Sequence, residues 1–205
     1  MMTNNPLREL AHWLNRRGFQ DVKCFEETEA LRAAFREKLD SAKSVGFGGS
    51  VTTRELGLPG LAKSMGKTVW DHWQTNSKKA LIRRKQLSAD LFVSAVNAIT
   101  EDGIIVNADG IGNRVAASIF GPKRVLFIVT PNKIRKTLGA AIERVRTIAT
   151  PLNAKRLGAS PPCAEDMKCR HCLDSHRMDR VFVIHEYCPM ETDFSIFILN
   201  KPMGY

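Results

Sequence analysis

The sequence predicts an α/β fold built on a buried, mostly parallel sheet. Three observations carry this. Short runs such as residues 91–96 and 125–129 are apolar on both faces, which suits strands covered on both sides. Segments with apolar residues three or four apart lie between them. The two kinds of segment alternate along most of the chain, which is the order of an α/β domain.

Each element has its own signal. Asn5-Pro6, followed by Leu7, Leu10, Ala11 and Leu14 and stopped by Gly18, predicts a capped helix. Asn caps it, Pro fits the first turn, and Gly permits a left-handed exit. Residues 19–25 read as a short strand. Thr28 is the expected cap of a second helix with Leu31, Ala34, Phe35, Leu39 and Ala42 on one face. Strands are expected at 44–47, 68–70, 91–96, 104–106 and 124–129. Residues 77–88 form a basic helix whose apolar members are Ala80, Leu81, Ile82 and Leu87. Helices are also expected at 113–120 and, from Ile134, Leu138, Ala141, Val145 and Ile148, at 132–149. Residues 181–185 and 195–199 read as a closing hairpin.

At 205 residues the chain is long enough for one domain with its own core, spanning 1–205. Hydrophobic residues make up 43% and charged residues 25%, the balance of a globular protein. No apolar run reaches membrane-spanning length. Met1-Met2-Thr3-Asn4-Asn5 has neither the basic nor the apolar region of a secretory signal, so a reducing cytoplasm is the expected compartment. The net charge of +10 favours anionic partners: phosphorylated metabolites, coenzymes, nucleic acids or acidic proteins. Nothing pairs the basic block at 78–85 with stacking aromatics, which weighs against nucleic acid.

Four of the five cysteines fall in the last quarter. Cys163, Cys169 and Cys172 share the polar loop 161–179, with Cys188 beyond it. A Cys-x-x-Cys pair places two thiolates at a spacing one metal bridges, and a third thiolate adds another soft donor. Zinc or an iron–sulfur cluster is the expected occupant, against redox-active thiols or no special role. The fourth ligand is open: Cys188 is the sulfur candidate, while His171, His176 and Asp179 are nearer.

Parallel sheets bind ligands beyond the carboxyl ends of their strands. Here those ends read Gly48-Gly49-Ser50, then Asn97 to Gly103, then Asn107 to Arg114. Gly48, Gly49, Ser50, Asn97, Gly112, Asn113 and Arg114 are the candidate ligand-binding residues. Asn113 is expected to cap its helix, leaving first-turn N–H groups beside Arg114 as an anion site. Glu101 is the candidate nucleophile or general base, against a solvated turn acid. Trp70-Asp71-His72-Trp73 reads as packing around an imidazole.

Taken in order, Gly48-Gly49-Ser50-Val51-Thr52, Asn97-Ala98-Ile99-Thr100-Glu101-Asp102-Gly103, Gly112-Asn113-Arg114-Val115-Ala116-Ala117, Phe120-Gly121-Pro122-Lys123, Asn132-Lys133-Ile134 and the tail Pro162-Cys163, Cys169-x-x-Cys172, Arg177 resemble the LUD (lactate-utilisation) domain family over roughly residues 5–200. The resemblance implies a three-layer α/β/α fold like the sugar-phosphate isomerases (NagB and RpiA types), the CoA transferases and the 5-formyltetrahydrofolate cyclo-ligases. It implies a part in lactate oxidation beside iron–sulfur and flavin oxidoreductase partners. By the superfamily's example the crevice takes CoA or a nucleotide-like anion, and Glu101 serves group transfer. An oligomer is compatible with it. In one place the chain departs from the family: Asp179 stands where the family pattern has a cysteine. Cys163, Cys169 and Cys172 with Asp179, Cys188 or solvent are the donor sets that follow. A nucleic-acid or protein-binding module with a structural zinc loop is the remaining alternative.

Overall fold

A computed structural model describes residues 6–74 and 77–205; the expected cap Asn5 lies outside the described residues. The chain runs α1 (Pro6–Arg16), β1 (Asp21–Phe25), α2 (Thr28–Asp40), β2 (Ser44–Phe47), α3 (Val51–Glu55), α4 (Leu58–Ser64) and β3 (Thr68–Asp71). It continues through α5 (Lys79–Gln86), β4 (Leu91–Ala95), β5 (Ala98–Thr100), β6 (Ile105–Asp109), α6 (Asn113–Ile119) and β7 (Arg124–Val129). It ends with β8 (Ile134–Arg135), α7 (Leu138–Arg144), α8 (Thr150–Leu157), α9 (Cys163–Asp166), β9 (Val181–His185) and β10 (Asp193–Leu199).

Six strands form one sheet in the order β1-β10-β7-β4-β2-β3, with every pairing parallel. Successive side chains of a strand face opposite ways, so each central strand feeds two cores. Val93, Leu126 and Phe197 pack with Leu31, Phe35 and Leu39 of α2. Their neighbours Phe92, Phe127 and Ile196 pack with Leu7, Leu10 and Leu14 of α1 on the other face. Burying each such side chain contributes about 1.5–3 kcal/mol. The three-layer α/β/α architecture follows from this division.

A second sheet, β8-β5-β6-β9, carries the departures from the sequence reading. The strand expected at 104–106 belongs here, antiparallel to β5 and β9, and not to the parallel sheet. The closing hairpin is also corrected. β9 pairs with β6, while β10 inserts in parallel between β1 and β7. Burial explains the split: β10 is buried from Phe194 to Leu199, whereas Val181 and Ile184 of β9 are exposed.

The helix expected at 132–149 begins later. Pro131–Lys133 is a 3-10 turn and β8 pairs with Ile99 and Thr100 before Thr137 caps α7, its side chain accepting from the Ala140 N–H. The helix then passes through a π turn, Val145–Ala149, into α8. Pro151 lacks the N–H that an α-helix would direct at residue 147, and the wider turn sits just ahead of it. Thr28 is the first residue of α2, not its cap; Glu27 holds that place without a side-chain capping bond. In α5 the apolar stripe is broken: Leu81 is 49% exposed, and Gln86 is the fully buried member.

Candidate functional site

The segments that follow β2, β4 and β7 enclose a polar cavity of about 70 Å3. Gly49, Ser50 and Thr52 line it from the first, Ala95 to Asn97 from the second, and Lys133 from the third. At the scale of one water per 10–15 Å3 it holds roughly five water-sized groups. A wider cleft of about 340 Å3 shares Gly49, Asp109, Gly110, Arg114, Asn153 and Met178 with it, so the cleft is its mouth.

Lys133 is the chemical centre of the inner cavity. Its backbone N–H donates to the Thr130 carbonyl across 3.0 Å, closing the turn that aims the side chain inward. The residue is 1% exposed, and Nζ donates to Thr52 Oγ1 at 2.7 Å. Among the described residues, no carboxylate forms an ion pair with it. Burial, followed by the Arg144 and Arg114 charges, holds its ammonium down to about 7, against a smaller opposing pull from Glu55. The carboxyl-terminal tail helps close the cavity. Asn132 Nδ2 donates to the Gly204 carbonyl at 3.1 Å, and the Gly204 N–H to Glu55 Oε2 at 2.8 Å. Tyr205, also on the wall, takes a bond from Arg156 Nε at 2.8 Å and donates to Asn153 Oδ1 at 3.1 Å.

Arg114 behaves differently from the anion site expected of it. Gly112 occupies the cap position at φ +94°, and Asn113 is the first helical residue of α6. The first-turn N–H groups of Arg114 and Val115 donate to Asp109 Oδ2 at 2.8 and 3.3 Å. The protein thus supplies its own anion. The Arg114 guanidinium is filled by Asp109 Oδ1, Asn97 Oδ1, Asn107 Oδ1 and the Ala95 and Ala108 carbonyls, at 2.6–3.2 Å. Asn97 is held in the same web: its Oδ1 also accepts from the Ala108 N–H at 3.0 Å. This network fixes the wall between the two sheets and leaves no donor of Arg114 free for a ligand.

The outer cleft carries more charge. Lys79 and Arg83 reach it from α5 and Arg156 from α8, beside Trp73, His72 and Asn113. The Arg156 and Arg54 guanidiniums lie 4.0 and 4.5 Å from the Trp73 ring centroid. Arg54 is itself fixed by a bidentate pair with Asp71. His72 is buried, and burial lowers its imidazole to about 4, so it is neutral near pH 7. Gln86 Nε2 lies 3.0 Å from His72 Nδ1 and donates to the Phe47 and Trp70 carbonyls at 2.7 and 3.1 Å.

Gly49, Ser50, Asn97 and Arg114 therefore line the inner cavity, and Asn113 lines the cleft. Gly48 and Gly112 line neither. Gly48 packs where a Cβ would meet Ser94 Oγ at 2.9 Å and Arg114 Cγ at 3.0 Å. Glu101 is exposed in the β5–β6 turn, away from both. That turn is tied to the residue following α1 by an Arg17–Asp102 pair at 2.6 Å.

A sequence profile of the LUD domain matches residues 7–185. The chain belongs to the LUD domain family. A solved DUF162 family protein from Deinococcus radiodurans is similar in structure, with a TM-score of 0.55 over 95% of this chain and 96% of that one. Sequence identity is 16%, so this likeness concerns the fold. No curated protein matches the chain in sequence.

In this LUD domain the cysteine loop lies beside the inner cavity. Cys163, Cys169, Cys172 and Asp179 line a small void of about 10 Å3 with Arg177 and Thr150, and Thr150 also lines the inner cavity. Burial raises the Cys163 thiol, and the nearby Cys172, Cys169 and Asp179 charges add to this. Three thiols suit zinc or iron in donor type. Of the candidate fourth donors, His171 lines the same void. Asp179 accepts from Arg177 Nε at 2.9 Å and lies 4.0 Å from Arg146. Cys188 sits elsewhere, packed against the α1 core, with its N–H on the Arg17 carbonyl. Among the described residues, no three His, Cys, Asp or Glu side chains are grouped to hold a metal ion. As arranged, the loop is not a closed four-ligand site.

The residues that sequence reasoning missed are Lys133, Thr52, Asn153 and Tyr205. Lys133 had a usable signal, because it stands four residues past the end of a strand apolar on both faces. Tyr205 had none, since only folding brings the chain end over the sheet.

Proposed function

We propose that this LUD domain binds a small carboxylate of the hydroxy-acid or oxo-acid class in the inner cavity, as part of lactate-type acid utilisation. The observation that carries the reading is Lys133: a buried amine in a polar cavity at the sheet's carboxyl edge, in no ion pair among the described residues, with Glu55 acting on it only at longer range. A buried charge without a counter-ion is costly, and an incoming carboxylate supplies one. Thr52 Oγ1 orients the amine, and Ser50 and Asn153 offer polar walls. Family membership supports the same direction.

Group transfer through a carboxylate nucleophile has less support. Glu101 is away from the cavity, and Asp109 is bound to Arg114. Zinc or an iron–sulfur cluster at Cys163, Cys169 and Cys172, with iron–sulfur or flavin oxidoreductase partners, is a finer proposal. It is supported by the three thiols sharing one void next to the site, and no step assigned to Lys133 depends on it.

Calorimetric titration with D-lactate, L-lactate, pyruvate and neutral lactamide tests the reading. At least one acid is expected to bind saturably, lactamide is not, and Lys133→Met is expected to weaken the acid by about tenfold or more. Equal binding of lactamide, no binding of any acid, or an unchanged Lys133→Met variant overturns it.

A further inference from the structure

We infer that the outer cleft is a phosphate subsite, holding the phosphorylated end of a ligand whose acid group reaches the inner cavity. The second half of this statement rests on the reading of Lys133; the first half does not.

Three cations converge on the cleft from two helices. Lys79 and Arg83 are one turn apart on α5, and Arg156 comes from α8. Among the described residues, none of the three is in an ion pair, and Arg83 Nε is buried with no hydrogen-bond partner. Asp109 is the carboxylate on the cleft wall, and Arg114 neutralises it. The cleft therefore presents uncompensated positive charge.

Its geometry is set in advance. Arg156 is held by Tyr205 Oη at 2.8 Å, by Asn153 Oδ1 at 2.7 Å and over the Trp73 ring. A guanidinium fixed in this way loses little freedom on binding a tetrahedral oxyanion. Two guanidiniums already cover Trp73, so its ring is not a free platform for a nucleobase. Ile111, Leu157 and Met178 supply an apolar rim for the organic part of a phosphate ester. The cleft also opens onto the inner cavity through Gly110 and Asn153. One elongated ligand with an anion at each end fits this arrangement.

The test is calorimetry on the full chain with inorganic phosphate, pyrophosphate, sulfate, lactate and 3-phosphoglycerate. Pyrophosphate is expected to bind saturably and more tightly than sulfate. Lys79→Ala/Arg83→Ala is expected to weaken it by about tenfold or more while leaving lactate binding in place. Both replaced side chains are at least partly exposed, and an unchanged thermal midpoint confirms the fold. Lys133→Met is expected to leave pyrophosphate unaffected and to remove the advantage of 3-phosphoglycerate over phosphate. No saturable pyrophosphate binding, equal binding of sulfate, or a double variant that binds like the parent overturns the subsite. Lactate binding that persists in any of these cases leaves the Lys133 reading standing. If lactate fails and pyrophosphate binds, the subsite stands without it.

Discussion

Lys133 Nζ meets Thr52 Oγ1 at 2.7 Å across 81 residues of sequence, joining the turn after β7 to the first turn of α3. This contact places an amine, rather than a carboxylate, at the centre of the cavity.

Stability should respond to pH through that amine. Lys133 titrates at about 7 in the fold against 10.5 when exposed. Between those values the unfolded chain binds the extra proton, so stability rises with pH across the window. Below pH 7 both states are protonated and the full penalty of the buried charge is present. Lys133→Met is expected to be more stable than the parent by about 1–3 kcal/mol at pH 7. The gap should close as pH rises toward 10.5. Urea unfolding at several pH values checks this, and a gap that widens with pH contradicts it.

Binding of a carboxylate should take up a proton. The incoming anion favours the ammonium, raising the lysine above its free value of about 7. At pH 8 the measured binding enthalpy is expected to vary with the ionisation enthalpy of the buffer, and affinity to fall as pH rises. Titrations in phosphate-free buffers of differing ionisation enthalpy measure the uptake. Buffer-independent heats would remove Lys133 as the responding group.

Arg114 is expected to be a matter of folding. Its guanidinium is bound on every side by Asp109, Asn97, Asn107 and two carbonyls. Arg114→Ala strands those acceptors and leaves the partly buried Asp109 without its cation, a loss of up to about 3–5 kcal/mol. Denaturant unfolding reads it directly. A variant of parental stability that has lost ligand affinity would return Arg114 to the role of anion receptor.

Asp179 and Cys188 should not affect metal content. Asp179 faces Arg177 and Arg146, and Cys188 packs at the α1 end of the molecule. Zinc, iron and sulfide measured on anaerobically purified Asp179→Asn and Cys188→Ser are expected to equal the parent values. Cys163→Ser or Cys172→Ser is expected to account for any loss. A drop in metal with either of the first two would mean the loop closes around an ion differently.

The sheet was legible wherever burial was two-sided. Residues 91–96 and 125–129 are apolar on both faces, and that pattern names central parallel strands whatever their neighbours. Residues 104–106 and 181–185 misled because short apolar runs do not say which sheet they join. Their antiparallel pairing comes from contacts distant in sequence. The site was half legible. Gly49, Ser50, Asn97 and Arg114 do line the cavity, because strand ends are readable. Glu101 looked equally well placed, yet its turn belongs to the second sheet and points away.

By itself the sequence determined the α/β class, the buried parallel strands, the basic charge and the three-thiol loop, since each depends on residue type and local period. Tertiary structure decided what those groups face. It gave Arg114 an internal anion in direct contact, gave Lys133 no ion pair among the described residues and sent Cys188 to the α1 core. The physical reason is that charge and coordination are set by neighbours within a few ångströms, and in this fold those neighbours come from segments far apart along the chain.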